Sequence, residues 1–96
     1  NDPALCDQML PFIQQVVAPD LVTVKENSPS LGSEDFAYVS TKVPSMMVSL
    51  GAGSTDQGFH YALHSPFVTP DESCLPVGAA LYAHCAAGWL AANADK

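Results

Sequence analysis

His64 stands in Leu63-His64-Ser65-Pro66-Phe67, a proline-bounded loop, and a helix-start signal follows it directly. Thr69 suits the N-cap and Pro70 the first helical position. Glu72, three residues after Thr69, has the spacing of a capping box. A helix starting at a fixed place would hold the His64 loop rigid. A rigid loop presenting one imidazole is what a metal site or a general acid/base needs. One histidine cannot hold a catalytic metal, and the chain offers it few partners. His60 lies four residues earlier in the same loop and lacks the helical geometry of an HExxH pair. His84 falls inside the last helix, where a structural role is expected. The ordinary alternative for His64 is a surface or hydrogen-bonded structural residue.

A second group is Gly32-Ser33-Glu34-Asp35-Phe36. Backbone N–H groups at a helix start after glycine make an anion site, and adjacent carboxylates serve acid/base or ligand-orienting work. Ser-Glu-Asp is equally ordinary N-cap chemistry, with acids favoured in the first turn by the helix dipole. Gly51-Ala52-Gly53 is the third group. Glycines after a buried strand let backbone approach a ligand, but the spacing fits neither GxGxxG nor a P-loop.

The elements that must position these groups read in order as helix, strand, short helix, strand and long helix. Asn1 or Asp2 caps the first helix and Pro3 opens it. Leu5, Met9, Phe12, Ile13, Val16 and Val17 form its apolar face, and Pro11 should kink or split it. Leu21 to Lys25 reads as a short strand and Glu26 to Gly32 as a loop. Ser33 caps a short helix through about Ser40. Ser45 to Leu50 reads as a buried strand, and Ser54 to Pro66 as a polar loop. The last helix runs from Pro70 to about Ala92. Leu75, Ala79, Tyr82, Ala86 and Trp89 mark its packing face, and Pro76 bends its first turns. The order predicts an α/β fragment with a mixed or parallel sheet. Two strands are too few for a stable sheet by themselves.

Composition sharpens that picture. The chain has 96 residues, one domain at most, with 48% hydrophobic and only 14% charged residues. Ordinary soluble domains carry roughly 25% charge. The deficit points to a surface covered partly by other protein. A net charge of −7 and the absence of arginine argue against nucleic acid and anionic membranes. No apolar run is read as approaching the ~20 residues of a membrane span. Asn1-Asp2-Pro3 does not read as a leader, and a start without Met points to residues preceding Asn1. Cys6, Cys74 and Cys85 form no CxxC pair, so they are read as small buried hydrophobes in a reduced, cytoplasmic setting.

Taken together, Gly32 to Tyr38, Val48 to Gly53, and Leu63 to Phe67 followed by Asp71-Glu72 and Leu75 to Ala80, resemble the C-terminal part of the catalytic domain of M20 family metallopeptidases. The resemblance leans to the amidohydrolase branch of hippurate hydrolases, aminoacylases and indoleacetyl-amino acid hydrolases. It implies a zinc-peptidase-like α/β catalytic domain with a dimerisation domain inserted in sequence. Asn1-Asp2-Pro3 resembles the point of re-entry from that insertion. It further implies two divalent metals per active site, zinc or manganese, that polarise an amide carbonyl and activate water. His64 would be one metal ligand, and Gly32, Ser33, Glu34 and Asp35 would lie near the substrate. The family's remaining ligands, a Cys-x-His pattern, a Glu-Glu pair that includes the general base and a further His, lie upstream and have no match here. The resemblance thus implies a segment with one ligand and no catalytic residue of its own.

The parent protein is accordingly expected to hydrolyse N-acyl-amino acids or related amides and to be a homo-oligomer. The rivals are a dipeptidase or carboxypeptidase of the same family, and a non-catalytic interaction domain that keeps the fold. The isolated chain is expected to be inactive and to self-associate, through the edges of Met46 to Leu50 and the stripe around Leu81, Tyr82 and Trp89.

Overall fold

A computed structural model describes residues 1–24 and 31–95. The described residues form three α-helices: α1 (Pro3–Val16), α2 (Phe36–Ser40) and α3 (Cys74–Ala92). Short 3-10 turns at Pro19–Leu21 and Thr55–Gln57 interrupt the connections. α1 packs against α3, the main pairing of elements among the described residues.

α1 begins as its sequence dictates. The Asp2 carboxylate accepts a hydrogen bond from the Leu5 N–H at 2.8 Å, and Pro3 follows at the first helical position. The helix continues through Pro11 as one element. Met9 and Ile13 on its inner face are the buried apolar residues.

No strand and no sheet occur among the described residues, which overturns the α/β expectation. Leu21 is taken by the 3-10 turn, where its N–H donates to Ala18 and that of Val22 to Pro19. The expected strand there has no ladder over 22–24, and its end at Lys25, like the loop to Ser30, lies outside the described residues. The Ser45 to Leu50 run finds a different partner from a strand. The Asn1 side-chain amide donates to the Met47 carbonyl at 2.9 Å and accepts from the Met47 N–H at 2.8 Å. The Asp2 N–H donates to the Ser45 carbonyl at 2.8 Å. One side-chain amide thus does locally what a neighbouring strand would do for a peptide group, without propagating a ladder.

α3 starts four residues later than the sequence reading places it. The Asp71 carboxylate accepts from the Ser73 N–H at 3.0 Å and the Ser73 hydroxyl at 2.6 Å, forming an Asx-type turn ahead of the helix. The Thr69–Glu72 capping box is therefore not used, and Pro76 sits in the first turn, where a missing N–H costs no helical bond. The packing face is also shifted. The half-buried positions of α3 are Cys74, Gly78, Leu81, Cys85 and Gly88, whereas Leu75, Ala79, Tyr82, Ala86 and Trp89 are exposed. Gly88 lets α1 approach closely, whereas Gly78 lies against the Leu50 side chain. A Cβ on Gly88 would lie 2.6 Å from the Phe12 ring. Phe12 also meets His84 edge-on at 6.0 Å, and His84 Nε2–H donates to Gln15 Oε1 at 2.6 Å, the structural role expected of it.

α3 is apolar on every side, and 19 residues of it are long and apolar enough to cross a membrane by length and composition. That corrects the sequence reading that no run approaches such a span. The chain as a whole is drawn out, with a radius of gyration of 15.2 Å against about 12.5 Å for a compact domain of this size.

Candidate functional site

His64 occupies the third position of a four-residue turn closed by the Ser65 N–H donating to the Ala62 carbonyl at 3.2 Å. Its φ is 73°, the only positive value at a non-glycine residue among those described. Left-handed backbone at that position belongs to a type II turn, where glycine is usual. An L-residue there costs about 1–2 kcal/mol, and such strain concentrates at functional sites. The turn is braced from both sides. Ser65 Oγ accepts from the Phe67 N–H at 3.2 Å, and the Ser65 carbonyl from the Val68 N–H at 3.2 Å. The rings of Tyr61 and Phe67 pack against each other at 5.5 Å, across the turn that carries His64. The Asp71 N–H donates to the Ala52 carbonyl at 2.7 Å, anchoring the far end of the loop to the glycine segment. His64 itself is exposed. The imidazole is thus presented outward from a tied-down backbone.

The glycine segment serves this anchoring. Gly53 has φ 120°, and a Cβ there would collide with the Phe59 ring. Its glycine is required by packing inside the loop, not by the carboxyl end of a sheet. Asp71 is held below the usual carboxylate range by the Ser73 hydroxyl, and next by the Ser73 N–H. Burial pushes the Cys85 thiol up. All three cysteines are free and half-buried, in line with their reading as small hydrophobes.

Gly32, Ser33, Glu34 and Asp35 are exposed and precede α2. Ser33 does not cap it. Asp35 holds the N-cap position with no side-chain cap bond, and the Glu34 and Asp35 carbonyls accept from Ala37 and Tyr38. Glu34 and Phe36 line an open apolar groove of about 590 Å³ with Met9 and Ile13 of α1, Met46 to Val48, Leu50, and Gly78, Leu81, Tyr82, Cys85 and Ala86 of α3. Glu34 is its one charged side chain. The sequence reading missed both the groove and the bracing of His64. Ser65 two residues before Phe67, and Asp71 two residues before Ser73, were the local signals for the bracing.

Among the described residues no three of His, Cys, Asp and Glu converge to hold a metal ion. The described residues do not by themselves make a metal centre, and among them His64 and the Gly32–Asp35 segment are not joined into one.

Comparison with known proteins gives this arrangement its context. The family model described as peptidase family M20/M25/M40 matches residues 1–88. The chain belongs to the M20 peptidase family. Relatives within it include an N-acetyldiaminopimelate deacetylase of Streptococcus sanguinis (strain SK36), 38% identical over 76 residues, 79% of this chain and 18% of that protein. The protein of the same name from Streptococcus gordonii is 36% identical over the same lengths. That of Streptococcus pneumoniae (strain Hungary19A-6) is 34% identical over 80 residues, 83% of this chain and 19% of the relative. This M20 chain thus spans about a fifth of the length of the curated relatives it matches. No solved structure matches it.

Proposed function

We propose that this M20 chain is the C-terminal segment of the catalytic domain of a cytoplasmic, homo-oligomeric, metal-dependent amidohydrolase that cleaves N-acyl-amino acids or related small amides. The upstream catalytic half and an inserted dimerisation domain lie outside these residues in that reading. His64 would give one ligand to a divalent ion, zinc or manganese, of a two-metal site whose other ligands come from upstream. Gly32 to Asp35 would lie near the substrate. The observation that carries the proposal is the posture of His64: a strained φ of 73° in a loop braced by Ser65, the Tyr61–Phe67 pair and the Asp71–Ala52 bond. A merely superficial histidine gains nothing from that strain, whereas a ligand gains a fixed direction. The deacetylase relatives support an N-acyl substrate over a dipeptide.

The role of this chain's own residues is positional. Ser65 fixes the turn, the aromatic pair limits its tilt, and Asp71 fixes its far end. His64→Ala in the full-length parent is expected to lower metal content and amide hydrolysis together while leaving the melting temperature nearly unchanged. Wild-type metal content and activity in that variant would make His64 structural.

A second reading, a non-catalytic interaction domain that keeps the fold, is favoured by one observation, the wide apolar surface of α3. A reading frame with no metal-ligand motifs ahead of Asn1 would decide for it.

A further inference from the structure

Residues 52–71 close on themselves. At the neck the Asp71 N–H donates to the Ala52 carbonyl at 2.7 Å. Inside, the Gln57 and Phe59 N–H groups both donate to the Ser54 carbonyl at 3.1 Å, and the Gly58 N–H donates to that of Thr55 at 3.0 Å. The braced Ser65 turn follows. Among the described residues, no hydrogen bond or ring contact ties residues 53–70 to α1, α2 or α3. The three left-handed residues among those described, Gly53, Gly58 and His64, all fall in this stretch. Loops whose ends meet and whose own side chains fill them behave as units and frequently carry function.

One neck hydrogen bond, exchanged against water, holds little by itself. The loop interior must do the rest, and it is small. Phe59, Ser65 and Val68 are the half-buried residues between the two ends. Phe59 is the largest of them. Its ring lies on the bare backbone of Gly53, where a Cβ would collide with it. The Tyr61–Phe67 pair closes only the second half of the loop. Phe59 thus ties the first half to the glycine segment beside the neck.

We propose that residues 52–71 fold as one closed loop, separable from the helix pair, and that Phe59, seated on Gly53, is the positioning residue that fixes the direction of His64. What this means for catalysis rests on the reading of His64 as a metal ligand. The loop's own order does not.

Nitrogen-15 relaxation and amide hydrogen exchange of the purified 96-residue chain test it. In the wild type the His64 amide should show the order parameter of rigid backbone, about 0.85. Phe59→Ala should drop it below about 0.6 and leave the exchange of the α1 and α3 amides unchanged. Phe59→Leu keeps an apolar side chain over Gly53 and should restore most of the order. Leu63→Ala, beside His64 but 81% exposed, should change nothing. Four outcomes overturn the proposal: a mobile His64 in the wild type, an ordered His64 in Phe59→Ala, an equal loss of order in Leu63→Ala, or helix amides that lose protection together with the loop. Full activity of a His64→Ala parent would unseat the ligand reading and leave these results standing, so the two fail separately.

Discussion

Phe12 lies over Gly88 so closely that a single added methyl at 88 would fall 2.6 Å from the ring. The α1–α3 pairing is set by that contact, because a glycine on one helix is what lets an aromatic ring of the other reach its backbone. Gly88→Ala should therefore force the helices apart or swing Phe12 from its place against His84, at a cost of about 1–3 kcal/mol. Urea unfolding of the two proteins measures it. An unchanged midpoint would mean that Phe12 moves freely and that the pairing rests elsewhere.

The same contact shows why the helix faces were only partly legible. Periodicity found α1, because Asp2, Pro3 and the Met9–Ile13 face agree with one another. For α3 periodicity picked the stripe with the larger side chains, Leu75, Tyr82 and Trp89. Close packing selected instead the stripe with the smaller ones, Gly78, Cys85 and Gly88. The start of α3 was misplaced because a capping box is only one use of its residue types. Asp71, with Ser73 two residues on, captured the backbone first. The strands failed for a different reason. A β-branched or apolar run becomes a strand only when a second run meets it, and Met47 meets the side chain of Asn1. At the site, the type of His64 was legible and its backbone was not, since positive φ is signalled by glycine and no glycine stands there.

That backbone makes a separable prediction. His64→Gly relieves the left-handed strain but adds unfolded-chain freedom, so stability of the chain should range from unchanged to a gain of about 1 kcal/mol. His64→Val, β-branched at the same φ, should lose about 1–3 kcal/mol. Thermal melts of the pair against wild type provide the comparison. Equal losses in both variants would show that the imidazole, not the backbone, holds the turn.

Asp71 gives the turn before α3 a pH dependence. Its carboxyl is lowered from 3.8 in the folded chain, first by the Ser73 hydroxyl and then by the Ser73 N–H. A depressed folded value means that the contribution is present above 3.8 and is lost as pH falls through the folded value. Helix melting followed from neutral pH into acid should show a loss that Asp71→Asn and Ser73→Ala both diminish. A loss of the same size in Asp71→Asn would assign the acid sensitivity to other carboxyls.

The last expectation concerns chemistry. An imidazole held outward at His64 offers one lone pair, and among the described residues no second and third ligand converge with it. Glu34 faces an apolar groove, and Asp71 is engaged by Ser73, so neither carboxylate joins His64 as a base. Amide hydrolysis needs both an activated water and a group to move its proton. The isolated chain should therefore show no turnover of N-acyl-amino acids, with or without added zinc or manganese, and should bind either ion only weakly by calorimetry. Metal-dependent turnover by the purified chain that survives in the Glu34→Gln variant but not in His64→Ala would place a working site within these 96 residues, and the proposal that the ligands and base come from upstream would fall with it.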